Sequence, residues 1–244
     1  MFGVHHPPLG RARRKAVLLC YPSVQEYMRT HWAFRKLAGF LAREGFHVLR
    51  FDYYGTGDSA GDYQESNIGE WLADIREAAD ELKDRADVRD ISIVGLQLGA
   101  TLAALATADG LTVRELVLWE PVVDGSTHLD QLREMEKLKF GMLRHGPRPR
   151  PHELHGYVLP DHWSADLARL RLTKATTCRA ERIVIFGSDG LAEYHELARH
   201  LHDRTGGPAT VQVVPEEVAS GPDSALLATR VLQAMAAELS RSAA

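Results

Sequence analysis

Residues 90–106 read Asp90-Ile-Ser-Ile-Val-Gly-Leu-Gln-Leu-Gly-Ala-Thr-Leu-Ala-Ala-Leu-Ala106. Ile91, Ile93 and Val94 make a short β-branched run suited to a buried strand. From Leu98 to Ala108 the chain turns to Ala and Leu, the composition of a buried helix. Gly95 and Gly99 frame the change, and their missing side chains let strand and helix cross closely. Gln97 is the residue between the strand and the helix.

The alternation extends in both directions from this point. Upstream, Lys15 to Cys20 reads as a strand and Tyr21 to Arg29 as a loop. Thr30 caps a helix with Ala33, Leu37, Phe40 and Leu41 on one face, stopped by Gly45. Phe46 to Phe51 is the next strand, and Asp52 opens a glycine-rich loop reaching Asp62. Asn67 and Glu70 have capping-box spacing ahead of a helix carrying Trp71, Leu72, Ile75, Ala79 and Leu82. Downstream, Arg114 to Leu118 is a strand, and the pattern is then interrupted from Val122 to about Thr177. That stretch holds helices over Leu129–Leu143 and Asp161–Leu172 around a proline-rich segment, and it predicts a small helical cap inserted over the strand ends. Strand Arg182–Phe186, helix Leu191–His202, strand Thr210–Val214 and a last helix from Pro222 restore the order. Residues 1–14 read as a loose leader. The expectation is one α/β domain over 1–244, a mainly parallel sheet with helices on both faces.

The 244 residues are 45% hydrophobic and 25% charged, with a net charge of −4, which points to neither nucleic acid nor an anionic membrane as partner. No apolar run approaches the roughly 20 residues of a membrane span. Cys20 and Cys178, each in or beside an apolar strand, are expected as reduced, buried side chains in a cytoplasmic protein. Twelve histidines raise the question of a metal. His195 and His200, however, project about 140° apart on a helix, and His152 and His155 fall in the proline-rich segment, so no metal is expected. Gly55-x-Gly57 superficially resembles a dinucleotide fingerprint, but the polar stretch from Gly61 to Ser66 separates it from any helix, and no cofactor is expected.

The Gly95-x-Gln97-x-Gly99 turn, the loop Asp52-x-x-Gly55-x-Gly57-x-Ser59 and the alternating pattern together resemble the α/β-hydrolase superfamily over about residues 15–240. The stretch from Tyr27-Met-Arg-Thr-His31 to Ser59 is similar to the branch of exosortase-associated and natural-product-cluster hydrolase-like proteins. Active members carry a nucleophile in G-x-S-x-G, followed in chain order by an acid and a histidine. Here the nucleophile position is Gln97. The acid position matches Asp189, after strand Arg182–Phe186, and the loop Pro215–Pro222 that should supply the base has no histidine. A carboxyl group that only orients an imidazole cannot by itself activate a nucleophile. The resemblance places one oxyanion donor at the Leu98 N–H and the other in Tyr21-Pro22-Ser23-Val24. Pro22 lacks an N–H, which leaves Ser23 or Val24 for the second.

Three readings follow. The first is a non-catalytic or accessory protein that binds a small acyl-type molecule or a biosynthetic partner enzyme. The second is an enzyme of altered chemistry (elimination, cyclisation or acyl transfer) using Gln97, Asp189, Glu120 at its strand end, and His31 at a helix start. The third is an ester, thioester or amide hydrolase with a relocated nucleophile such as Cys20. Oligomeric state is not legible in the sequence.

Overall fold

The computed structural model describes residues 1–142, 153–154, 157–174, 177–187, 192–205, 207–214 and 224–241, without the side chains of 24, 25, 29, 139–142, 174 and 224–228. Among the described residues seven strands form one sheet, in the spatial order 2–6, 47–52, 16–20, 91–96, 113–119, 180–187 and 209–213. They are β1 (Phe2–His6), β2 (Ala16–Cys20), β3 (His47–Asp52), β4 (Ile91–Leu96), β5 (Val113–Trp119), β8 (Ala180–Gly187) and β9 (Ala209–Val213). All neighbours pair in parallel except β1, which runs antiparallel to β3. Helices α1 (Val24–Arg43), α2 (Ile68–Ala86), α3 (Leu98–Ala108), α6 (Ala192–Thr205) and α7 (Ser224–Arg241) connect and cover the strands. The central strands β2, β4 and β5 are buried almost throughout, as both faces of a covered parallel sheet require.

Two expectations need correction. The N-terminal residues are not a loose leader. β1 takes the free edge of β3, and its histidines gain partners there: His6 Nε2 accepts from Arg50 Nε at 3.0 Å, and His5 lies 3.2 Å from His47 Nδ1. Arg50 is buried and also donates to the Tyr21 hydroxyl at 2.8 Å, so the edge strand helps satisfy a cation that water cannot reach. The second correction concerns α1, which begins at Val24 rather than Thr30. Tyr27 is helical and donates its hydroxyl to Asp52 Oδ1 at 2.7 Å, a tertiary bond that local spacing does not reveal. The Asn67 capping box is present, with the Asn67 side chain accepting from the Glu70 amide and Glu70 accepting from the Asn67 amide.

Between β5 and β8 lie α4 (Gly125–Met142), the two-residue strands β6 (Glu153–Leu154) and β7 (Tyr157–Val158), α5 (Asp161–Arg169) and a 3-10 turn at Leu172–Lys174. The proline-rich part of this region falls mostly outside the described residues. α5 is held down by an aromatic cluster: Trp163 meets Trp71 of α2 edge-on at 4.6 Å and stacks on Tyr63 at 5.4 Å, while Tyr53 stacks on Trp71 at 4.4 Å. Trp163 Nε1 donates to Ser66 Oγ at 3.2 Å, which satisfies its buried N–H. Truncating Trp163 to Ala is expected to lower unfolding free energy by about 3–5 kcal/mol, against about 1 kcal/mol for Asn67→Ala, both read from urea denaturation midpoints at constant slope.

Candidate functional site

The site is built at the C-terminal ends of β4 and β5. The Gln97 amide donates to the Trp119 carbonyl at 2.8 Å, and the Glu120 amide donates to the Phe186 carbonyl at 2.8 Å, so each strand's last bond fixes the residue after it. Both residues leave the strand with positive φ. Gln97 sits at φ 48°, ψ −117°, and Glu120 at φ 47°. The other non-glycine residue with positive φ among those described, Asp87, is an ordinary left-handed helix cap. A non-glycine residue held in such a region costs on the order of 1–3 kcal/mol.

The glycines explain how Gln97 is held. A Cβ on Gly95 would run into the Ala100 backbone, and one on Gly99 into the Cys20 and Tyr21 carbonyls, all well inside contact distance. β4, α3 and the end of β2 therefore touch backbone to backbone. The contact also brings the Tyr21 backbone, just ahead of Pro22 and Ser23, against the start of α3. Pro22 is buried, and half-buried Ser23 is the N-cap of α1 with no side-chain capping bond. Val24 begins α1, its side chain outside the described set. Leu98 is buried and opens α3, where helix geometry leaves its amide without an intrahelical acceptor. The turn is thus a donor-rich corner next to Gln97.

Gln97 and Glu120 line one cavity of about 200 Å³, together with Val122, Thr127, His128, Gln131, Glu193 and Tyr194 among others. His128, on α4, is the residue that sequence reading missed. The only signal for it was its place in the first turn of the helix after β5, because nothing in the local pattern tells an inward histidine from an outward one. Burial pushes its imidazole pKa down to about 4, so the ring is neutral at pH 7. Tyr194 is buried, and burial together with the Glu120 and Glu193 carboxyls raises its hydroxyl well above the usual phenol range, leaving it a donor. Asp124 accepts from the Thr127 amide at 2.8 Å and pairs with Arg171 at 2.6 Å; the amide bond is the main reason its pKa is lowered.

The remaining candidates stand elsewhere. His31 is exposed on α1, packed beside Tyr21 and Tyr27 with ring centroids 6.1 Å from each, and does not line this cavity. Cys20 is fully buried at the end of β2, and burial lifts its thiol to about 12, far from the thiolate a displaced nucleophile requires. Asp189 and the loop at 215–223 lie outside the described residues. The loop after β3 is structural: Asp52 accepts from the Tyr27 hydroxyl and the Asp58 amide, and Gly57, at φ 53°, passes too close to the Asp52 carboxyl for any side chain. Among the described residues no group of three His, Cys, Asp or Glu is disposed to hold a metal, and no helix is long and apolar enough to cross a membrane.

The model of the alpha/beta hydrolase family matches residues 22–242. This chain belongs to the alpha/beta hydrolase family. Over 121 residues this hydrolase-family chain is 31% identical to the mitochondrial palmitoyl-protein thioesterase ABHD10 of Bos taurus, a match covering 48% of the chain and 38% of that protein. The Homo sapiens protein of the same name is 38% identical over 63 residues, covering 26% and 19%. The chain thus spans well under half the length of these curated relatives. Est1E from Butyrivibrio proteoclasticus, solved with ferulic acid bound, superposes with a TM-score of 0.64 at 16% identity over 97% of this chain and 94% of that one. Mouse ABHD10 gives 0.56 at 18% identity over 97% and 94%. At such identities these structures speak for the fold alone.

Two measurements probe this site. Gln97→Gly relieves the positive φ, partly offset by added freedom in the unfolded chain, and is expected to raise unfolding free energy by about 1 kcal/mol. The His128 ring resists protonation only when folded, so wild-type stability should fall as pH drops from about 6.5 to about 4, by up to about 3 kcal/mol. His128→Gln should flatten that part of the pH profile of the denaturation midpoint, and a profile parallel to wild type would place the ring in water.

Proposed function

We propose that this hydrolase-family protein binds an acyl-type small molecule in the cavity at Gln97 and does not form a covalent acyl-enzyme there. The observation that carries the reading is that Gln97 occupies the strained turn where the family's nucleophile stands, with its backbone still at positive φ beside an open polar cavity. An amide cannot attack a carbonyl. It can both donate to and accept from a bound ligand, and a strained residue exposed to a cavity is pre-organised to do so. On this reading the acyl carbonyl lies toward the Leu98 amide, with Gln97 and the Tyr194 hydroxyl as further donors.

The acyl portion is inferred from α4. His128 and Gln131 line the cavity, and helical spacing continues their stripe to Met135 and Leu138, which are 46% and 58% exposed. This apolar run outward from a polar head site suits a chain attached to a carbonyl. On the same reading α4 and α5 form a cap over 122–177 within a single domain, and the triad is degenerate: position 97 carries no nucleophile, and the 215–222 loop holds no histidine. The similarity of Tyr27–Ser59 to the exosortase-associated branch supports an accessory role beside a biosynthetic enzyme, inside the cell.

A second reading has its own observation, the His128 ring in the same cavity. There His128 would accept a proton from a water that attacks an ester or thioester directly. Its depressed pKa is a poor match for a base working at neutral pH, which ranks this reading second.

The two separate in one set of experiments. A fluorophosphonate probe is expected to leave the protein unlabelled. S-octanoyl cysteamine should bind without turnover above buffer, and the binding should weaken about tenfold in Gln97→Ala or Tyr194→Phe, about the strength of one lost hydrogen bond. Turnover that disappears in His128→Ala would establish the second reading. Labelling by the probe, or a burst of thiol release, would overturn the first.

A further inference from the structure

A basic band lies at the opposite end of the central strands, where they begin. A cleft of about 460 Å³ is lined by Arg14, Lys15, Arg89 and Arg114, together with Asp87, Asp90 and Ser92. A second cleft of about 620 Å³ shares Arg14 and Lys15 with it and adds Arg11, Arg13 and Arg43, with Glu44 as the acid. Six arginines and one lysine thus meet three carboxyl groups in the cleft walls, with buried Glu115 as a fourth beside Lys15, on a chain whose net charge is −4.

Local structure does not explain this segregation. Arg43 ends α1, and a cation there complements the negative end of the helix dipole. Arg14 and Lys15, by contrast, lead into β2, Arg89 leads into β4 and Arg114 is the second residue of β5. Arg13 pairs with Glu44 at 3.6 Å and donates to the Ser240 carbonyl at 3.3 Å. Arg11, Arg14, Arg43 and Arg89 are exposed and make no ion pair among the described residues. The Lys15 ammonium feels the crowding: burial lowers its pKa, the charges of Arg114 and Arg13 lower it further, and Glu115 only partly opposes them. Like charges held this close are relieved by an anion.

We propose that these two clefts together bind a small molecule bearing several phosphate groups. The guanidinium group offers paired N–H donors that match phosphate oxygens two at a time, and here arginine outnumbers lysine six to one. The strands β3, β2, β4 and β5, whose entries carry the band, span roughly 14 Å, the reach of an extended nucleoside triphosphate, while a bare tripolyphosphate fits the wall that the two clefts share. Concave clefts sharing a wall of cations favour such a ligand over the flat face of an acidic protein. The site stands about 20 Å from Gln97, the length of β4, so its occupancy neither needs nor tests the acyl reading.

Tripolyphosphate is the first probe, titrated calorimetrically against the full chain at low salt, with ATP beside it to distinguish inorganic from nucleotide phosphate. One-to-one binding is expected, weakened at least tenfold by Arg14→Gln with Arg89→Gln and unchanged by Arg199→Gln on α6 or by Gln97→Ala. Both substituted arginines are exposed, so the double variant should keep the wild-type melting temperature, and the comparison is made at that check. Failure of both probes to bind at millimolar concentration, or binding indifferent to the double variant, overturns the proposal. Binding of polyglutamate without binding of either phosphate overturns it in favour of an acidic protein partner.

Discussion

The constraint on which the structure depends is a three-way backbone contact. The turn after β4 can pass into α3 only because Gly95 and Gly99 let it lie directly on α3 and on the Cys20–Tyr21 carbonyls at the end of β2. No side chain fits in either gap, so the helix has one place to start and the residue before it one conformation. The turn inherits that geometry: the Leu98 amide lacks an intrahelical acceptor because α3 begins there, and Gln97 keeps positive φ because both neighbours are pinned. The packing enforces this turn whatever residue stands at position 97.

Much of this was legible in the sequence because it is written in local chemistry. The β-branched run at Ile91–Val94, the glycine pair and the Asn67–Glu70 spacing each report a short-range requirement, and the corresponding elements lie where those requirements place them. The first six residues of α1 and the whole of β1 were not legible. Tyr27 is helical while bonding Asp52 across the fold, and Phe2–His6 is ordered because β3 offers it an unfilled ladder and Arg50 needs a partner. Such reasons exist only after the sheet has formed.

The same distinction applies to the cavity. Gln97 and Glu120 are strand-end residues, so the alternation of strands locates them without coordinates. His128 reaches them from a helix whose rotation about its axis is set by burial of Leu129, Leu132 and Glu136 on the adjoining face. His31 was attractive for its nearness in sequence to the oxyanion-side loop, but the longer α1 carries it onto an exposed face beside Tyr21 and Tyr27. Burial also gives the Cys20 thiol and the half-buried His128 imidazole opposite electronic fates. Cys20 is kept protonated and inert, while His128 is kept unprotonated.

The antiparallel strand at one margin of the sheet has a bearing on how the molecule behaves in a crowd. A bare margin of β3 would offer another chain a row of amides and carbonyls to zip onto, the usual beginning of irreversible clumping. By folding residues 2–6 onto that row, the polypeptide moves the open margin to a strand of five residues, which offers another chain a short ladder to pair with. That margin lies beyond β2 from the cavity, so the sheet's edge and the cavity lining can change independently in this scaffold.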